Sequence, residues 1–145
     1  MSSIRPILLV ENEENDVLLL RHAFKKAGID YPLQVVETGQ DALAYLKGEG
    51  AFSDRVRYPV PLVLLLDLKL RGFDGVDVLK WIRRQSSYST LPVIILSASI
   101  LANDISEAYR SGANSYISKV ADPVELAEVV RDFYRWWLRR NIAPP

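Results

Sequence analysis

Residues Leu62–Gly75, LVLLLDLKLRGFDG, hold five consecutive apolar side chains, Leu62, Val63, Leu64, Leu65 and Leu66, that run into Asp67 without a polar break. Such a run suits a strand buried on both faces, the kind found at the centre of a parallel sheet. Asp67 stands where that strand would emerge, and in open α/β sheets ligands and chemistry gather outside the carboxyl ends of the strands. Arg71, Gly72, Asp74 and Gly75 are polar or turn-forming, and helical spacing resumes at Val76. On this stretch alone Asp67 suits a site at a strand mouth and equally a cap for the next turn.

Outward from this strand, the chain alternates between short apolar runs and helical patterns. Towards the N-terminus, Ile7–Val10 reads as a strand ending in the polar cluster Glu11–Asp16, whose acids complement the start of a helix. That helix keeps Val17, Leu20, Ala23, Phe24 and Ala27 on one face and stops at Gly28. Leu33, Val35 and Val36 mark a second strand, and Ala42, Leu43, Tyr45 and Leu46 a second helix ending at Gly48. Residues 49–61, with Gly50, Ser53, Asp54, Pro59 and Pro61, read as a long loop.

Beyond the central strand, Val76, Val78, Leu79 and Ile82 predict a third helix. Leu91–Leu96 predicts a fourth strand ending at Ser97, Asn103–Ser111 a helix, and Ser115–Ser118 a fifth strand ending at Lys119. Asp122-Pro123 opens the last helix with a capping residue and a proline at its first position. Five such alternations predict a five-stranded parallel sheet with helices on both faces.

The 145 residues predict one domain, 1–145. With 18 basic and 18 acidic residues, bulk charge argues for neither nucleic acid nor membrane as a partner. The absence of cysteine excludes disulfides and cysteine-based metal sites. The chain has no apolar stretch long enough to span a membrane, and its N-terminus does not read as a signal peptide, so a cytoplasmic location is expected.

The ends of the strands collect Glu11 and Asn12, Asp67, Ser97 and Lys119. Two carboxylates and an amide oxygen can hold a hard cation such as Mg²⁺. An ammonium and a hydroxyl opposite a carboxylate suit phosphoryl transfer to that carboxylate, which needs no base to deprotonate it. This ordered set, with the aspartate-glycine turn at Asp74-Gly75, resembles the receiver domains of two-component response regulators. The insertion at 49–61, the Leu-Asp-Leu-Lys-Leu segment and the aromatic last helix look like the stand-alone regulators paired with bacterial phytochromes.

The resemblance implies a doubly wound, flavodoxin-like fold with no separate output domain. It implies that Asp67 accepts a phosphoryl group from a sensor histidine kinase, such as a bacterial phytochrome, and so acts as a phosphoacceptor rather than an enzyme. Glu11, Asn12, Asp67 and the backbone carbonyl of Lys69 would bind Mg²⁺, Lys119 would pair with the phosphate, and Ser97 and Tyr116 would act as the switch. The signal would reach the surface of the fourth helix, fifth strand and fifth helix.

Three positions depart from the family pattern. Asn12 replaces a second acid, Val120 a proline that follows the lysine, and Arg71 a proline in the turn after Asp67. Asn12 removes a charge that, about 4 Å from a cation, is worth roughly 4 kcal/mol at an intermediate dielectric. This weakens the metal site and raises the alternative of a pseudo-receiver, a binding module acting without phosphate. An aspartate-nucleophile phosphatase is disfavoured because Lys69 stands where such enzymes place an acid.

Other features read as ordinary. His22 is expected on the surface, Glu13, Glu14 and Asp16 as a solvated helix start, and Tyr45 and Tyr109 as packing residues. The last helix, 122–140, is expected to outrun the sheet and expose Phe133, Trp136, Trp137 and Leu138 as a homodimer surface. The alternative is that these side chains fold back over the domain's own helices.

Overall fold

The apolar runs become the strands β1 (Ile7–Val10), β2 (Leu33–Val36), β3 (Val63–Leu66), β4 (Val93–Ser97) and β5 (Ser115–Ser118). The computed structural model describes residues 4–70 and 74–145; Arg71 and Gly72, named above, lie outside the described residues. All strand pairs are parallel and the order is β2-β1-β3-β4-β5, the flavodoxin-like arrangement. The buried strands β1 and β3 lie side by side at the centre, with Val10 opposite Leu66.

Alternate side chains of each strand serve opposite faces. Leu8, Val10, Leu64, Leu66, Val93 and Ile95 meet the helices α2 (Gly39–Lys47), α3 (Gly75–Arg84) and α4 (Ala102–Arg110). Ile7, Leu9, Val63, Leu65, Ile94 and Leu96 meet α1 (Glu14–Lys26) and α5 (Pro123–Phe133). Asp122 caps α5 by accepting from the Glu125 N–H at 3.2 Å, as the aspartate-proline pair predicts. Among the described residues no helix is long and apolar enough to cross a membrane.

The loop 49–61 has more structure than its composition suggests. It contains a short 3₁₀ turn, Gly50–Phe52, and Arg55 donates to the Tyr45 and Leu46 carbonyls at 2.8 Å each, satisfying the open end of α2. Tyr45, fully buried, donates to Pro59 O at 2.8 Å and packs against Phe52 and Tyr58. Tyr109, expected to pack, is instead 48% exposed on α4, because Ala108 is the residue of that helix turned into the core.

The last helix corrects a second expectation. Helical structure runs on from α5 through a π-helical stretch, Tyr134–Arg140, so its extent matches the expected 122–140 closely. Phe133 is buried, however, and Trp137 and Leu138 pack on the same core cluster, leaving Trp136, at 61% exposure, as the open aromatic. Tyr134 meets Tyr31 edge-on at 6.3 Å. The domain's own surface therefore reaches further along this helix than strand lengths alone suggest. In urea unfolding, Phe133→Ala should cost about 3–5 kcal/mol and Trp136→Ala no more than about 0.5 kcal/mol. Equal losses would return Phe133 to the exposed face.

Candidate functional site at the carboxyl ends of the strands

The site follows from register. Because Val10 and Leu66 are paired, Glu11 and Asp67 emerge next to each other, and the Asp67 N–H donates to Val10 O at 3.1 Å. This is where strand order reverses between β1 and β3, the usual place for a crevice in such sheets. Both side chains are buried. The turn after Asp67 is held by Gly75, whose N–H donates to Leu68 O at 3.0 Å. A Cβ at Gly75 would run into the Asp67 carbonyl oxygen and lie 2.8 Å from Leu68 Cα, so this position requires glycine for close approach.

Lys119, at the end of β5, reaches back across the sheet. Its Nζ lies 2.5 Å from Glu11 Oε1, 2.9 Å from Asp16 Oδ2 and 3.3 Å from Asp67 Oδ2. Burial by itself would lower the lysine pKa, but hydrogen bonds to Glu11 and Asp16 and the charge of Asp67 outweigh it and hold the ammonium above its ordinary 10.5. Burial pushes the Glu11 carboxyl above 4.5; the bond to Lys119 opposes this and the neighbouring Asp67 charge adds to it. Among the described residues there is no cis peptide bond, so Lys119–Val120 is trans.

Of the residues expected at the site, Glu11, Asp67 and Lys119 are brought into one cluster. Ser97 is fully buried at the end of β4; its Oγ accepts from the Ser99 N–H at 3.2 Å and its carbonyl accepts from the Lys119 N–H at 2.8 Å. Tyr116, half-buried, donates to Ser99 O at 2.8 Å. The Lys69 side chain points out to solvent, 3.9 Å from Asp104 Oδ2, while its N–H donates to Asp67 Oδ1 at 3.4 Å. His22, Glu13 and Glu14 are exposed, as expected.

Asp16 is the residue the sequence did not single out. It was expected to be solvated, and it instead bonds Lys119 from the first turn of α1. Acids are favoured at helix starts in any case, so nothing in the sequence distinguished it from Glu13 or Glu14.

Asn12 bears directly on a cation. Its Oδ1 is buried and has no hydrogen-bond partner among the described residues. A buried oxygen left without a donor fits a hard, oxygen-seeking cation. Among the described residues no three His, Cys, Asp or Glu side chains are placed to hold a metal by themselves.

The family model for the response regulator receiver domain matches residues 7–131. The crystal structure of response regulator RPA3017, in red light signalling of R. palustris, superposes with a TM-score of 0.93 at 33% identity, covering 98% of this chain and 99% of that one. The phosphorylated cyanobacterial phytochrome response regulator RcpA gives 0.88 at 31% identity, covering 99% and 100%. Response regulator Rcp1 of Synechocystis sp. is 30% identical over 95% of this chain and 92% of its own length. The structure of its Mn²⁺-bound form has a TM-score of 0.86 and covers 98% of this chain and 100% of that one.

The charge arrangement predicts a pH dependence. The folded-state pKa of Glu11 lies above its unfolded value, so the stability it contributes is full below 4.5 and is lost as pH rises through the folded value. Lys119→Met removes the strongest opposing interaction and pushes that folded value higher. It also leaves buried carboxylates unpaired, at a cost of about 3–5 kcal/mol. In urea unfolding without divalent cations, the mutant's deficit should therefore widen as pH rises from 4.5 towards neutrality. A deficit constant across that range would show that Lys119 does not control the Glu11 proton.

Proposed function

Because this chain belongs to the response regulator receiver family, we propose that Asp67 takes a phosphoryl group from the phosphohistidine of a sensor histidine kinase in a cytoplasmic phosphorelay. The observation that carries this reading is the buried Asp67 carboxylate at the mouth of β3 with the Lys119 ammonium 3.3 Å away. An Asp67 oxygen attacks phosphorus, the P–N bond breaks, and its electron pair returns to the imidazole. Lys119 balances the negative oxygens of the transferred group. Receivers of this kind are signalling phosphoacceptors rather than enzymes in the usual sense.

Glu11, Asp67, the Asn12 amide oxygen and the Lys69 backbone carbonyl would hold Mg²⁺, which neutralises phosphoryl charge when bound. Ser97 and Tyr116 would respond to the new group. Tyr116 already bonds the loop between β4 and α4, where Ile100 and Leu101 are exposed, so a changed Asp67 has a short route to the surface of α4, β5 and α5. The likeness to the phytochrome response regulator RcpA, and to RPA3017 in red light signalling, supports a phytochrome-type kinase as partner. Asn12 in place of an acid favours a second reading, a pseudo-receiver that binds its partner without phosphate.

Acetyl phosphate with Mg²⁺ should add about 80 Da to the wild type, one phosphoryl group, and nothing to Asp67→Asn. Labelling of both proteins would move the acceptor elsewhere; labelling of neither would favour the pseudo-receiver. Asn12→Asp should tighten Mg²⁺ binding, read by tryptophan fluorescence, because a charged oxygen replaces a neutral one.

A homodimer through the last helix belongs to the same proposal. Trp136, with Arg135, Arg139 and Arg140 exposed around it, is the patch that remains open there. Sedimentation should give about twice 16.4 kDa for the wild type and a shift towards monomer for Trp136→Ala. A wild type that stays monomeric at hundreds of micromolar would end this part of the reading.

A further inference from the structure

Three carboxylates share one ammonium at the site, and they come from different elements. Glu11 and Asp67 stand on adjacent strand ends, whereas Asp16 comes from the first turn of α1. Asp16 is also the most solvent-accessible of the three, at 36% for its side chain. The ammonium sits closer to Glu11 and Asp16 than to Asp67. A small cavity of about 40 Å³ adjoins it, lined by Glu11, Asp16, Leu20, Leu96, Lys119 and Val120.

A divalent cation and this ammonium carry like charges and would compete for the same two strand-end carboxylates. Position 12 supplies no third carboxylate, because Asn12 is neutral. Asp16 supplies it, from the first turn of α1. We infer that Asp16 is a positioning residue that retains the Lys119 ammonium at the site while a divalent cation occupies Glu11, Asp67 and the Asn12 oxygen. The inference rests on the cation-dependent phosphoacceptor reading above and adds to it a residue that sets where the lysine waits. Without Asp16, the lysine has only Glu11 and Asp67 to hold, and it opposes the cation directly.

A double-mutant cycle on Mg²⁺ affinity tests this, read by tryptophan fluorescence with far-UV circular dichroism confirming that each variant folds. Asp16→Asn should weaken Mg²⁺ binding by about three- to tenfold in the wild-type background, the range expected for contacting charges. In the Lys119→Met background the same substitution should have little effect, because there is no ammonium left to misplace. Asp16→Glu should largely restore affinity to the protein that keeps Lys119.

Equal weakening in both backgrounds would overturn the inference and make Asp16 a distant charge acting on the cation alone. Unchanged affinity in the wild-type background, or a wild type that binds no Mg²⁺, would overturn it as well. Acetyl phosphate labelling of the wild type is read separately. A protein that binds Mg²⁺ with the expected coupling and takes no label would sink the phosphoacceptor reading and leave the role of Asp16 standing.

Discussion

The Lys119 ammonium is the contact on which the rest of the site depends. Two carboxylates cannot be buried side by side at the ends of β1 and β3 without a positive charge between them, since an unpaired buried charge costs several kcal/mol. Lys119 provides that charge from β5, two strands away from β3, and Asp16 brings α1 into the same cluster. One ammonium thereby ties together β1, α1, β3 and β5. A cluster held this way is stable as a whole and sensitive at any one member.

Polar contacts continue through the loops around the cluster. Ser97, at the end of β4, accepts from Ser99, and Ser99 in turn bonds Asp104 at the start of α4 at 2.5 Å and accepts from Tyr116 on β5. Lys69, two residues past Asp67, lies 3.9 Å from the same Asp104. Polar contacts thus join the ends of β4 and β5 and the turn after Asp67 to the start of α4, at the sheet's carboxyl end. On the other side of the turn, Gly75 fixes the backbone of Asp67 and Leu68 by direct approach, which keeps the Asp67 carboxylate in a defined place.

The last helix shows how a single aromatic stretch divides between core and surface. Phe133, Trp137 and Leu138 complete the face shared with α1, and Trp136 is turned away from it. Widening into a π-helical turn over Tyr134–Arg140 changes which side chains share a face, since five rather than four residues separate hydrogen-bonded partners. The apolar patch left exposed is thus smaller than the composition of this stretch implies, and it is framed by arginines.

Most of the fold was legible in the chain because buried parallel strands need continuous apolar runs and their crossover helices need a 3.6-residue stripe. Leu62–Leu66, Leu91–Leu96 and the caps at Gly28, Gly48 and Asp122 carried that pattern openly. So did the set Glu11, Asp67, Ser97 and Lys119, because each stands at the end of a strand or directly after one and strand ends in one sheet must lie together. What the chain could not state was anything set by distances between elements. Asp16 looks like any acid at a helix start until α1 is packed on the sheet beside Lys119. Asn12 Oδ1 becomes an orphaned oxygen only once it is buried, and Phe133 and Trp136 differ only in which side of a packed helix they face. Local pattern is written in neighbours along the chain; the partners of a charge, or of an aromatic ring, are chosen by the tertiary packing that brings distant residues within a few ångströms.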